Sequence, residues 1–170
     1  MEEKFSIPTV AFIVEREDPE TSETQILIQK RFKPESDPKY TGVYELPAGK
    51  IREFEDIRES ARRELKEETG LELETLEITN TEIFEHGGDK SFAFIPFCCE
   101  QMLKGPYPYI GFVFVVKAKG EVKETREARE AKWVSTDELS KLIAKGEFHP
   151  YHMGAIQIYL NRKAKSNPGD

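Results

Sequence analysis

The stretch GKIREFEDIRESARRELKEETGL, from Gly49 to Leu71, constrains this chain more than any other. Ile57, Ala61 and Leu65 recur every four residues, so they form one apolar stripe along a helix that must pack on the body of the domain. Glu53, Glu55 and Asp56 supply the negative charge that favours a helix N-terminus, and Gly70 suits the left-handed position that ends one. Ser60 and Ala61 are small and permit close approach by another segment or a ligand. Three glutamates, Glu64, Glu67 and Glu68, crowd the last turns beside the stripe. Like charges at offsets of three and four residues cost roughly 0.2–0.5 kcal/mol per pair. Carboxylates at a helix C-terminus cost about 0.3–1 kcal/mol more. A bound divalent cation removes both penalties, because hard cations prefer carboxylate oxygens. A solvated acidic face is the alternative that these residues alone leave open.

Ahead of the helix, Tyr44-Glu45-Leu46-Pro47-Ala48-Gly49 reads as a short strand ending in a turn punctuated by Pro and Gly. Strand, tight loop and acidic helix make one compact unit. That unit resembles the signature of the Nudix hydrolases, G-x5-E-x7-R-E-U-x-E-E-x-G-U, where U is a bulky aliphatic residue. Gly49, Glu55, Arg63, Glu64, Leu65, Glu67, Glu68, Gly70 and Leu71 fill every defined position without a gap.

The resemblance implies an α/β (α+β) fold: an α/β/α sandwich with a curved mixed sheet flanked by helices. It implies hydrolysis of a nucleoside diphosphate linked to a further group, with Mg2+ or Mn2+ as cofactor and a small nucleotide as partner. By the family pattern, Glu64, Glu67 and Glu68 hold the metal, Glu67 or Glu64 also acts on the water, and a carbonyl of Ala48 or Gly49 adds a ligand. Arg63 orients a metal-binding glutamate, Glu55 is its salt-bridge partner, and Gly49 and Gly70 are structural. Some members add a glutamate from a later loop. Glu124, Glu127 and Glu130 precede the Trp133 strand, and Glu127 or Glu130 is the expected one, although the segment also reads as a soluble charged loop.

At 170 residues the chain is expected to form one domain over residues 1–165, with a disordered tail at 166–170. A net charge of −7 argues against a nonspecific grip on nucleic acid, which depends on Lys and Arg. No apolar run approaches the ~20 residues of a membrane span, and the start MEEKFSIP lacks a signal-peptide pattern, so a cytoplasmic location is the default. Cys98 and Cys99 are adjacent, a spacing that rarely forms a structural disulfide, and are expected as buried strand thiols ahead of a redox role.

Residues 9–14 and 25–31 read as strands around a polar hairpin loop, and 33–41 reads as a second loop. Residues 73–85 are mixed, with strand-like alternation near the end. Residues 91–99 and 110–117 are the most apolar strands, expected at the centre of a sheet. Lys132-Trp133-Val134 leads into Ser135-Thr136-Asp137-Glu138, a capping box opening a helix to about Lys145. A last helix spans 149–163 with Ala155, Ile158, Tyr159 and Arg162 along one side. Arg31, at a strand end, is positioned to reach a phosphate or to lie on the surface. Phe84, Phe92, Phe94, Phe97, Tyr107 and Tyr109 include base-stacking candidates among core residues. His149 and His152 fit a helix start better than a metal site, and Trp133 fits the core.

Four functions compete. The first is cleavage of ADP-ribose or a similar nucleotide-sugar, a branch that tends to carry a proline where this chain has His86. The second is a house-cleaning, MutT-like nucleoside triphosphate pyrophosphohydrolase, distinguished by releasing pyrophosphate. The third is a non-catalytic nucleotide sensor, which commonly loses the metal-binding glutamates retained here. The fourth is a structural Ca2+ module, for which no loop of alternating Asp and Asn ligands is present. A homodimer is expected by analogy with similar enzymes.

Overall fold

A computed structural model of the chain describes residues 3–79, 82–125 and 128–166. Its strands are β1 (Ile7–Glu17), β2 (Thr24–Arg31), β3 (Tyr44–Glu45), β4 (Ala48–Lys50), β5 (Glu72–Leu76), β6 (Ile83–His86), β7 (Asp89–Phe92), β8 (Cys98–Gln101), β9 (Tyr109–Lys119) and β10 (Ala128–Ser135). Helices α1 (Ile57–Thr69), α2 (Thr136–Ala144) and α3 (Met153–Ser166) complete it. Glu127 and the expected tail beyond Ser166 lie outside the described residues.

The curved mixed sheet runs in the order β10-β2-β1-β9-β5, with β3, β4 and β8 pairing β2, β1 and β9. Among the described strands only β1 and β9 pair in parallel, with Ile7 opposite Tyr109; the other ladders are antiparallel. Both faces of β1 are apolar because both are covered. Val10, Phe12 and Val14 pack with Ile57, Ala61 and Leu65 of α1. Ala11 and Ile13 point the other way, into a cluster with Leu139 and Leu142 of α2 and Ala155, Ile156 and Tyr159 of α3. The three-layer sandwich expected from the sequence is present.

Helix α1 begins as its sequence requires. Asp56 caps it by accepting from Arg58 N–H at 2.8 Å, and Gly70 ends it at φ 77°. Leu65 is fully buried in the seam, so truncation to Ala costs about 2–5 kcal/mol. Ser135 caps α2 by accepting from Glu138 N–H at 3.2 Å, as the capping box anticipates.

Three expectations need correction. Residues 91–99 are not a central strand: Ser91 and Phe92 belong to the separate β6–β7 hairpin, and Cys98 and Cys99 to β8. Pro96 has no N–H for a ladder, and Phe92 and Phe94 instead pack against the α1-side core. Cys99 is exposed on β8, while Cys98 is half-buried. In α3 the buried stripe is Ala155, Ile156 and Tyr159, and Ile158 is exposed.

Candidate active site

The site sits where two strands part. β1 and β2 pair only between Glu15–Glu17 and Thr24–Ile26. Beyond that point β3 pairs β2 and β4 pairs β1, with Val10 opposite Gly49. This brings the Ala48–Lys50 strand beside α1. A Cβ on Gly49 would lie 1.9 Å from Glu64 Cδ and Oε2, so glycine there is a requirement of space rather than of backbone angle. The glycine that opens the motif makes room for the first glutamate of the cluster.

Glu64, Glu67 and Glu68 share a cavity of about 500 Å3 with Ala48, Gly49, Lys50, Lys33 and Thr125. Arg63 organises it. Its Nε and Nη2 donate to the two carboxylate oxygens of Glu55, both at 2.6 Å, and Nη2 also donates to Lys50 O at 3.0 Å. Its Nη1 donates to Glu64 Oε1 and, at 3.2 Å, to Glu67 Oε2. Hydrogen bonds from Arg63 hold the Glu55 carboxyl down to about 2, and those carboxylates push the guanidinium pKa up. Glu55 is therefore an ion-pair partner folded back on α1. Part of the repulsion among the glutamates is thus already offset within the chain by Arg63, and Arg52 lies 3.6 Å from Glu67.

Glu68 accepts from Gln29 Nε2 at 2.7 Å. Gln29 is fully buried on β2, and its Oε1 has no hydrogen-bond partner among the described residues. The donor set is all oxygen: three carboxylates, the adjacent strand backbone and this amide. That chemistry fits a hard divalent cation. No group of three metal-ligating side chains already converges on one point among the described residues. Mg2+ tolerates this, because it usually takes one or two carboxylates and fills its remaining positions with water and substrate phosphates.

The motif residues Gly49, Glu55, Arg63, Glu64, Glu67, Glu68 and Gly70 thus lie on or directly beside one loop–helix unit. Arg31 is elsewhere: its side chain is 12% exposed, with Nε 2.8 Å from Asp37 Oδ2 and Nη1 3.1 Å from Glu45 Oε2. Glu130 sits in the bulge of β10 at φ 46°, exposed and paired with Lys30. It does not line the cavity, whereas Thr125, earlier in the same connection, does. Trp133 is half-buried under the Arg16 guanidinium. His149 accepts from Tyr151 N–H at 3.2 Å and caps a turn, as anticipated. His152 lies 3.0 Å from Glu100. Burial would lower the His152 pKa, but the Glu100 carboxylate overcomes this and raises it.

Sequence reasoning missed Gln29, Lys50 and the carboxylates Asp37, Glu45 and Glu100. Gln29 carried a signal: it directly follows the apolar run Ile26-Leu27-Ile28 on the same strand.

The sequence model of the NUDIX domain family matches residues 7–154. A search of the curated proteins found no match. Among solved structures, the fold resembles the MutT protein of Methanosarcina mazei Go1 at TM-score 0.63 and 22% identity, covering 99% of this chain and 100% of that one. It resembles the NUDIX domain of Shewanella oneidensis NrtR, solved with ADP ribose, at TM-score 0.65 and 13% identity over 94% and 90% of the two chains. A NUDIX hydrolase from Nitrosomonas europaea gives 0.62 and 22% over 93% and 90%. Members of this family generally use divalent metal ions and bind small nucleotides. With the family matched across most of its length and the signature complete, the chain belongs to the NUDIX domain family and is a Nudix hydrolase.

Proposed function

We propose that this chain is a Mg2+- or Mn2+-dependent pyrophosphohydrolase. Its substrate is a nucleoside diphosphate joined to a further group, with ADP-ribose or a similar nucleotide-sugar as the leading class, and residues 1–165 work as one domain. The observation that carries the reading is the single cavity lined by Glu64, Glu67 and Glu68 against the Ala48–Lys50 strand. The likeness to the NrtR domain solved with ADP ribose supports the substrate class.

In this reading Glu64, Glu67 and Glu68 hold the metal, with a carbonyl of Ala48 or Gly49. The ion supplies charge neutralisation at the diphosphate and polarises a phosphoryl oxygen. Lys50 and Lys33, on the same cavity, add positive charge along the diphosphate. Arg63 fixes Glu64, whose side chain is 11% exposed, in one orientation. Glu67, with 53% of its side chain in solvent, is accessible to accept the proton of an attacking water. Holding that water in line with the scissile bond is the positioning the helix supplies.

The second reading is a nucleoside triphosphate pyrophosphohydrolase, supported by the end-to-end likeness to the M. mazei MutT protein. Product analysis on a nucleotide panel separates them. AMP plus a sugar phosphate is expected; a nucleoside monophosphate plus pyrophosphate selects the second reading. No product from any nucleotide with Mg2+ or Mn2+ overturns both and leaves a sensor.

A further inference from the structure

Gln29 is the polar exception on its face of β2. Ile26 and Ile28 pack into the cluster with α2 and α3, and Leu27 packs into the cluster with α1. Side chains alternate along a strand, so Gln29 turns the same way as Leu27. It is fully buried, and its Nε2 donates to Glu68 Oε2 at 2.7 Å. Its Oε1 is sealed in with no hydrogen-bond partner among the described residues. A buried amide satisfied at only one end costs stability that an apolar side chain of the same size would not.

The backbone is shaped around this position. β2 parts from β1 after Ile26 and takes up β3, with Gln29 opposite Glu45. On its other edge β10 sets Glu130 and Ala131 against Gln29, between the Ile28–Lys132 and Lys30–Arg129 pairs. Such a bulge bends its strand and re-aims side chains, and Glu130 bears it at φ 46°. Gln29 therefore stands at the fork where α1 meets the sheet. Its partner Glu68 lies in the last turn of α1, where a carboxylate opposes the helix dipole and helices fray.

The two anchors of the glutamates differ in kind. Arg63 brings positive charge to Glu64 and Glu67 and competes with a cation for them. Gln29 brings Glu68 a hydrogen bond without charge, which fixes the aim of the carboxylate and does not compete with an ion. Glu68 lines the cavity and Gln29 does not. We propose that Gln29 is a positioning residue, which acts through Glu68 to hold that carboxylate toward the cavity and so sets the affinity of the site for its cation. The inference rests on the metal reading of Glu64, Glu67 and Glu68.

The test is titration of the full chain with Mn2+, without nucleotide, reading the unbound ion by electron paramagnetic resonance. Gln29→Met keeps an unbranched side chain of similar length and removes the amide. Its Mn2+ dissociation constant should rise about 10–100-fold, as for loss of an outer-shell partner of a metal ligand. Its urea midpoint should equal or exceed that of wild type, because the half-paired amide is gone and half-buried Glu68 can turn to water in the cavity. A purely structural role would give the reverse, lower stability with metal binding intact. Leu27→Met, on the same face of the same strand, should leave Mn2+ affinity within about twofold, well under the loss of such a partner. A folded Gln29→Met with wild-type Mn2+ affinity overturns the inference alone, as does an equal loss in Leu27→Met. If Gln29→Met fails to fold, Gln29→Leu takes its place, and failure of both overturns the inference by making Gln29 a residue of the fold. A wild-type chain that binds no Mn2+ overturns the metal reading first, and this inference with it.

Discussion

Glu67 exposes 53% of its side chain, while Asp37 exposes 2% and Glu45 8%. These carboxylates belong to adjoining charged regions organised around Arg63 and Arg31. Arg63 serves a helix face that opens on a cavity, and its partners Glu64 and Glu67 also line that cavity. Arg31 serves a closed floor where Asp37 and Glu45 are nearly out of water. The difference separates two uses of charge. A carboxylate such as Glu67 that must meet an ion or a water from outside stays accessible, and its removal should spare the fold. Charges matched inside the chain hold a shape, and removing one leaves its partner buried and unmatched.

The largest expected effect breaks the first region. Glu67→Gln or Glu68→Gln should lower turnover by more than the 10–100-fold typical of losing an outer-shell partner of a metal ligand. EDTA should abolish activity, and added Mg2+ or Mn2+ should restore it. Steady-state kinetics on both variants check the assignment, and near-normal rates would remove the metal role. Unfolding of Glu67→Ala should stay within about 0.5 kcal/mol of wild type, as for an exposed surface position.

The second region should respond in the opposite sense. Glu100→Ala leaves the buried His152 without its hydrogen-bonding carboxylate and should destabilise by about 1–3 kcal/mol in urea unfolding. A loss below about 1 kcal/mol, the scale of an exposed ion pair, would place the pair with surface pairs and collapse the contrast. Arg63→Gln sits between the two regions in kind. It should cost about 10–100-fold in activity through misplacement of Glu64, with metal affinity falling in parallel.

The last effect is a pH slope. Burial holds the His149 imidazole down to about 3, well below its ordinary 6.5. The unfolded chain therefore takes up this proton first as pH falls. The His149 contribution to stability is full above 6.5 and is lost as pH drops toward 3, at up to about 1.4 kcal/mol per pH unit. His149→Asn can still cap the turn but cannot titrate. Its melting temperature should fall less steeply than that of wild type over that window; parallel curves would contradict the assignment.

The first region was legible in the sequence because α1 is local. Gly49, Glu55, Arg63 and the glutamates are fixed relative to one another by a single loop and helix, so spacing alone places them. The second region is assembled from Arg31, Asp37, Glu45, Glu100, His149 and His152, which lie on separate strands, loops and turns and share no period. Only the sheet topology brings them together. The unbroken apolar run Val10 to Val14 agrees with burial of β1 on both faces, whereas apolar content misplaced residues 91–99, since Phe92 and Phe94 pack against the core without joining the central sheet.

The parallel pairing of β1 with β9 has a consequence during synthesis. Ile7 must wait for Tyr109, so the β9-facing edge of a strand whose middle, Val10 to Val14, is apolar remains without its partner while about 100 residues are translated. At about 5–20 residues per second, that is some 5–20 seconds in which β1 can pair with another nascent chain. The β1–β2 hairpin and the β4 ladder form from early sequence and shield the opposite edge first. Completion of the central sheet is thus limited by chain length, and the yield of folded protein should depend on translation rate and on chaperones that hold an open strand.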